Sequence, residues 1–281
     1  MPEITPELVL QLREMTNAGF LQCKTALVEA GGDLQKAVEV LRKRGQATAA
    51  KVAAREAKDG LIAQHILPGA RAGILVEVNC NTDFVARNDQ FKAFCDEVAR
   101  TLLANPQADL ELARTALVAK LGENIQIRRH QKFELPPGQP GMIAAYIHHG
   151  GKVGVLVEVG ATQEATLARD EFKQLVKDIT LQVAAGNPGA VSREQVPTEV
   201  LEKEKEIAAA QFKNKPPQAL ARIVEGKLEK FYQTYCLLDQ GFVKKNSEVS
   251  VKEHLAEVAK ALGDQVTIRR FVRFQVGEGV A

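Results

Sequence analysis

Tryptophan is absent from the 281 residues, and aromatic residues amount to only 5%. So thin an aromatic set argues against stacking platforms for single-stranded nucleic acid. An excess of one charge is also missing: 37 Lys and Arg stand against 35 Asp and Glu, for a net charge of +2. Such a balance gives no strong field for phosphate backbones or a membrane surface. No window approaches the roughly 18 apolar residues of a membrane span. Met1-Pro-Glu-Ile-Thr-Pro6 shows no basic segment leading into an apolar one, so a cytosolic (cytoplasmic) protein is expected. Cys23, Cys80, Cys95 and Cys236 form no C-x-x-C pair, which reads as reduced thiols in apolar positions rather than a disulfide frame or a zinc site.

What is present is an ordinary soluble composition, 45% hydrophobic and 26% charged, long enough to bury a sizeable core in one to three domains. Thr5-Pro6-Glu7 reads as a helix start, with Thr as N-cap and Pro at the first helical position, and Leu8, Leu12 and Met15 form an apolar stripe. Asn17-Ala18-Gly19 ends that helix. A second runs from about Leu21 to Ala30, and Asp33 caps a third that reaches about Arg44. Together they predict a small bundle resembling a ubiquitin-associated domain. The Ala- and Lys-rich stretch from Ala47 to Lys58 reads as a helical or flexible linker.

Two offsets organise the rest. Gly73-Ile-Leu-Val-Glu-Val78 recurs as Gly154-Val-Leu-Val-Glu-Val159, shifted by 81, and the shift also matches Gly60 with Gly141, Gly69 with Gly150, Asp89 with Asp170 and Phe91 with Phe172. A strand-turn-strand-loop-helix unit is therefore duplicated. The third strand, within Gly122–Phe133, recurs at Gly263–Phe274, shifted by 141. The difference of 60 between the offsets is an insertion in the second copy. It reads as two amphipathic helices around Lys215-Pro216-Pro217, with Val200, Ile207 and Phe212 facing Leu220, Ile223, Val224, Leu228 and Phe231. The fold class expected is α+β: a three-helix bundle, a core of two duplicated subdomains with antiparallel sheets, and an inserted antiparallel helical hairpin. The boundaries expected are 1–46 for the bundle, 47–59 for the linker, 60–139 for the first subdomain, 140–186 with 237–281 for the second, and 187–236 for the hairpin.

The copies part company after the central strand. Thr82-Asp83-Phe84-Val85 in the first faces Gln163-Glu164-Ala165-Thr166 in the second. A ring needed for packing inside the repeated unit would have an apolar equivalent of similar volume, because interiors are filled densely. Ala165 is no such equivalent, so Phe84 is expected to be an exposed contact rather than a local core residue.

Catalytic motifs fail on inspection. Gly150-Gly151-Lys152 would need Gly at 146 and Ser or Thr at 153 to be a phosphate loop, where Tyr146 and Val153 stand. His148 and His149 are adjacent, and on an extended segment they would point to opposite faces, which is wrong for one metal. Glu77 and Glu158 recur at equivalent positions, which suits cross-strand ion pairs with Arg128-Arg129 and Arg269-Arg270. No nucleophile or metalloprotease pattern appears, so neither covalent chemistry nor a cofactor is expected.

Thr82-Asp-Phe-Val-Ala-Arg-Asn-Asp89, preceded by Glu77-Val-Asn-Cys80, resembles the signature of the elongation factor Ts family. The resemblance extends over Leu12-Arg13, Thr16, Ala18-Gly19, Cys23-Lys24 and Ala26-Leu27, then Tyr146-Ile-His148, Gly150–Val157, Val224-Glu-Gly-Lys227 and Gln240-Gly-Phe-Val243. It implies an exchange factor that binds GDP-bound and nucleotide-free elongation factor Tu. The Asp-Phe pair that disturbs the magnesium and phosphate end of Tu's GDP site maps to Asp83 and Phe84, flanked by Thr82 and Val85. Further contacts map to Arg13, Asn17, Ala18, Gly19, Phe20, His148 and His149. Three features depart from the family: Asn17 and Phe20 stand where Gly and Met are usual, Gly241 stands for Pro, and the extra C-terminal helix of some members is missing after Gly279. A different class of protein also fits the residues, a non-catalytic scaffold or homodimer built on the bundle and the hairpin.

Overall fold

A computed structural model of the chain describes residues 4–16, 18–212 and 216–279. Ten α-helices and two three-stranded antiparallel sheets lie among them, an α+β architecture. The first three helices are α1 (Pro6–Thr16), α2 (Phe20–Glu29) and α3 (Leu34–Val52). Thr5 Oγ1 accepts from Leu8 N at 3.3 Å and Asp33 Oδ1 from Lys36 N at 3.0 Å, so the expected caps do start α1 and α3. Leu12, Cys23, Ala26, Leu27 and Ala37 fill the space between these helices. Met15 is half exposed, contrary to its expected place on the inner stripe; Val9 and, past the helix end, Ala18 complete that face. Nor does α3 stop near Arg44. Gly45 is buried against α6 (Glu111–Leu121), where an added Cβ would lie 3.3 Å from the carbonyl oxygen of Thr115, and the helix runs on through the first part of the expected linker.

The first sheet has the order β1 (Asp59–Ile66), β2 (Ala72–Cys80), β3 (Gln126–Glu134). The second repeats it with β4 (Gly141–His148), β5 (Val153–Ala161) and β6 (Val266–Gln275). Between strands two and three of each lie α5 (Asp89–Ala104) and α6 in the first copy, and α7 (Asp170–Gly186) and α10 (Val251–Leu262) in the second. The central strands are β-branched and buried on both faces, as a strand covered on two sides should be. From β2, Ile74, Val76, Val78 and Cys80 pack beneath α5 with Phe91, Phe94 and Val98; from β5, Val155, Val157 and Val159 pack beneath α7 with Phe172, Leu175 and Ile179. The alternate residues face the other sheet, where Ile62, Leu75, Phe133, Ile143, Leu156 and Phe274 form a shared core. Gly73 and Gly154 lie on this inner face. A Cβ on Gly73 would collide with Ile66 Cδ1 and come within 2.9 Å of Ile143 Cγ2, so the absence of a side chain sets how closely the sheets approach.

Glu77 and Glu158 also point inward, and their neutralisation explains why both carry two arginines. The register skips one residue at Glu77/Val78 and at Glu158/Val159, so Arg128 and Arg269 are the extra residues of matching β-bulges. The bulge lets two consecutive side chains reach one carboxylate: Arg128 Nη1 and Arg129 Nε donate to Glu77 at 3.0 and 2.6 Å, and Arg269 Nη1 and Arg270 Nε to Glu158 at 3.2 and 2.7 Å. The cross-strand pairs expected from the repeat are present.

The 60-residue insertion holds α8 (Thr198–Ala210) and α9 (Pro217–Tyr235), which pack against each other. Lys215 of the expected turn lies outside the described residues. Ile207, placed on the packed stripe by the sequence, is 44% exposed, and Ala208 is buried instead. Among the described residues no helix is long and apolar enough to cross a membrane.

Candidate functional site

The chain leaves β2 at Cys80 and turns at Asn81 and Thr82. Thr82 is extended and its Oγ1 accepts from Val85 N at 3.3 Å, which starts the five-residue helix α4 (Asp83–Arg87) where a loop was expected. The reason is local. Thr is a good N-cap, Asp83 sits in the first turn and Arg87 in the last, and the two close an ion pair at 3.0 Å. At the equivalent place the second copy has only a 3₁₀ turn, Glu164–Ala168, without a side-chain cap.

On α4, Ala86 is buried and Val85 packs against the first core, while Phe84 is 81% exposed. The ring therefore does not pack under its own segment. Asp83 is partly exposed beside it.

Glu123, in the turn between α6 and β3, holds this helix in place, and nothing in the sequence reading singled it out. Its carboxylate accepts from the backbone N–H of Asn81 and Thr82 at 3.0 and 3.1 Å and from the Thr82 hydroxyl at 2.6 Å. The signal was available in the repeat, since Glu123 aligns with Asp264 at the offset of 141. Asp264 performs the same task, accepting from the hydroxyl and the N–H of Thr162, from Gln163 N at 3.1 Å and from Thr166 Oγ1 at 2.6 Å. The hydroxyls of Thr162 and Thr166 hold its carboxyl well below the usual range.

His148 ends β4, and His149 leaves the strand with φ 53°, so the alternation of an extended segment does not apply. The expectation that the two rings face opposite ways is corrected: they stack at 4.9 Å, and Tyr146 Oη lies 2.8 Å from His148 Nδ1. The turn they open rests on the start of β1, where a Cβ on Gly151 would lie 2.6 Å from Leu61 Cδ2. Lys152 follows, donating to the Asp59 carboxylate and to Gly60 O at 2.9 Å. Burial would raise the pKa of Asp59, but the hydrogen bond from Lys152, the Gly60 N–H and the charges of Lys152 and Arg87 together hold the group below the ordinary value. Because Asp59 pairs with Cys80, immediately before α4, the start of β1 is flanked by both the Phe84 helix and the histidine turn.

The N-terminal candidates are more mixed. Asn17 lies outside the described residues. Arg13 is exposed and Phe20 is 48% exposed, whereas Ala18 is buried and shapes the turn from beneath instead of presenting a side chain. Gly19 opens α2, its N–H donating to Gln22 Oε1 at 3.1 Å.

The class defined by this fold and site is an α+β protein built on a duplicated sheet-and-helix scaffold, with one copy carrying an exposed aromatic–acid tip. The profile of the family described as Elongation factor TS matches residues 81–278. Along its full length the chain is 44% identical to elongation factor Ts of Symbiobacterium thermophilum, covering 94% of that protein. It is 42% identical to elongation factor Ts of Nautilia profundicola, covering 100% of this chain and 95% of the relative, and 40% identical to that of Nostoc punctiforme, covering 100% and 94%. The chain belongs to the elongation factor Ts family.

Proposed function

We propose that the protein is the guanine nucleotide exchange factor for elongation factor Tu and that it works in the cytoplasm through the Asp83–Phe84 tip. The observation that carries this reading is the exposure of Phe84 on a helix the second copy lacks. Exchange follows from linkage: a factor that binds nucleotide-free Tu better than Tu·GDP necessarily weakens GDP. GDP and Mg²⁺ in such a GTPase are held by backbone amides and a Ser/Thr ligand. Phe84 wedges between helices of Tu, and Asp83 reorients hydrogen bonds near the Mg²⁺ site. Thr82 and Val85 fix the helix that presents them.

Burying one Phe ring is worth about 1.5–3 kcal/mol, or roughly one to two decades of affinity. A larger shift needs further footholds. Arg13, Gly19 and Phe20 on the N-terminal helices and His148 with His149 on the second subdomain supply them in this reading. It takes α1, α2 and the first part of α3 as a ubiquitin-associated-like domain (1–46), the two sheet units as subdomains of one core, and α8 with α9 as a projecting hairpin arm.

The test is stopped-flow release of fluorescent GDP from Tu. Phe84→Ala is expected to lower the acceleration by about 10- to 100-fold while leaving the urea midpoint unchanged, since an exposed side chain contributes within about 0.5 kcal/mol. Near-wild-type acceleration would refute the role given to the ring. A scaffold would bind Tu·GDP without altering GDP release at all.

A further inference from the structure

The N-terminal helices and α4 are tied together by a polar clasp whose residues are not repeated in the second copy. Asn124 follows Glu123 in the α6–β3 turn and is buried. Its Nδ2 donates to the carbonyls of Ala53 and Arg55, just past the end of α3, at 3.2 and 2.9 Å. Its backbone N–H donates to Asn81 Oδ1 at 2.8 Å, and Asn81 Nδ2 donates to Glu56 O at 2.6 Å. Arg55 Nη1 adds a bond to Gly122 O at 3.1 Å. The exit of α3, the α6–β3 turn and the residue before the α4 N-cap therefore share one hydrogen-bonded knot. At the offsets of 81 and 141, Thr162 and Gln265 stand in place of the two asparagines.

Elsewhere α3 is packed on the core, with Ala49 and Val52 in the first core cluster. Gly45 rests on Thr115, and beside this contact lies a cavity of about 380 Å³ lined by Val38, Leu41, Lys51, Leu112 and Ala119 among others. Hydrogen bonds weaken steeply when bent, so the clasp adds an angular restraint to this packing between α1–α3 and the tip.

We propose that Asn124, together with Asn81, is a positioning residue for exchange, holding the N-terminal helices and the Asp83–Phe84 helix in one fixed pose so that both meet Tu·GDP in a single encounter. This rests on the exchange reading above. Linked footholds reinforce each other through effective concentration only while their spacing matches the partner. A slack joint weakens capture and leaves unaltered what Phe84 does once docked.

The experiment is GDP release measured against the concentration of full-length Asn124→Ala and Asn81→Ala, with urea midpoints confirming folding. The half-saturating concentration is expected to rise about tenfold with the limiting rate held within about twofold. Spin labels at Lys36→Cys and Lys92→Cys, both exposed sites in a protein whose four native thiols are buried, are expected to show a broadened distance distribution in the clasp variants. An unchanged half-saturation, a fall in limiting rate alone, or an unbroadened distribution would overturn the proposal. Should Asn124→Ala fail to fold, Asn81→Ala decides, because it leaves the Asn124 bonds to Ala53 and Arg55 intact. If Phe84→Ala is impaired and the clasp variants match wild type, the clasp alone fails; if Phe84→Ala also matches wild type, the exchange reading fails with it.

Discussion

The guanidinium of Arg129, on the first sheet, lies 4.3 Å from the ring centroid of Phe274, on the second. The relationship is reciprocated: Arg270 lies 4.3 Å from the ring centroid of Phe133. Each copy lends an arginine to the other's aromatic ring, and each of those arginines also neutralises its own copy's buried glutamate. The joint between the sheets is thus held by cation–π contact, ion pairing and apolar packing at the same residues.

Arg129→Ala removes a cation–π contact of about 0.5–2 kcal/mol and a charge-assisted bond of about 1.5–3 kcal/mol, leaving Glu77 to Arg128. A loss of about 2–5 kcal/mol is expected, and Arg270→Ala should match it. Urea unfolding checks both. Losses under about 1 kcal/mol in both would mean that these pairs behave as ordinary surface ones.

Glu77 gives the fold a dependence on acid. Burial alone would raise its pKa, but the N–H of Gly277, the Asn79 amide and the two arginines together hold it below the ordinary value of 4.5. A depressed folded pKa means that the unfolded chain binds the extra proton first. The contribution is therefore complete above 4.5 and is lost as pH falls through the folded value. Unfolding midpoints measured from about pH 7 down to about pH 2 should fall less steeply below the glutamate range in Glu77→Gln than in wild type. Parallel curves would place the acid sensitivity elsewhere.

Gly73→Ala forces a methyl against Ile66 Cδ1 and Ile143 Cγ2 between the sheets. Overpacking of this kind destabilises by about 1–3 kcal/mol. Ile66→Val removes the first clash, so the double variant should recover part of the loss in chemical denaturation. A double variant no better than the sum of the two singles would show that the sheets shift apart instead.

The native thiols should be inert. Burial pushes Cys80 up to about 12, with Glu123 and Asp59 adding their negative charge, and burial pushes Cys236 to about 11. Cys23 and Cys95 are raised by burial as well. An aromatic disulfide reagent at about pH 8 is expected to react with the folded protein only at the rate of opening, and with four thiols promptly in urea. A rapid phase in the native protein would reveal an accessible thiolate.

The repeat made much of this legible. Offsets of 81 and 141 located the paired strands, the Glu–Arg pairs and the difference between Phe84 and Ala165, because side chains that meet across a duplicated sheet must recur together. Features set by backbone departures were not legible. A bulge at Arg128 looks like any strand residue in sequence, the positive φ of His149 overrides the alternation expected of its neighbours, and the run of α3 past Arg44 shows only once α6 packs on Gly45. Ile207 misled for another reason: the buried position of α8 falls on its small neighbour, Ala208. Glu123 was missed because one carboxylate in a turn stands out only when it is matched to Asp264 at the offset of 141.

The hairpin leaves and rejoins the second subdomain at neighbouring points: Gly189 N donates to Tyr235 O and Leu237 N to Ala190 O, each at 2.8 Å. Its stem is closed by main-chain bonds before either helix has begun to pack. Lengthening, trimming or exchanging the arm therefore requires no rerouting of β5 or β6.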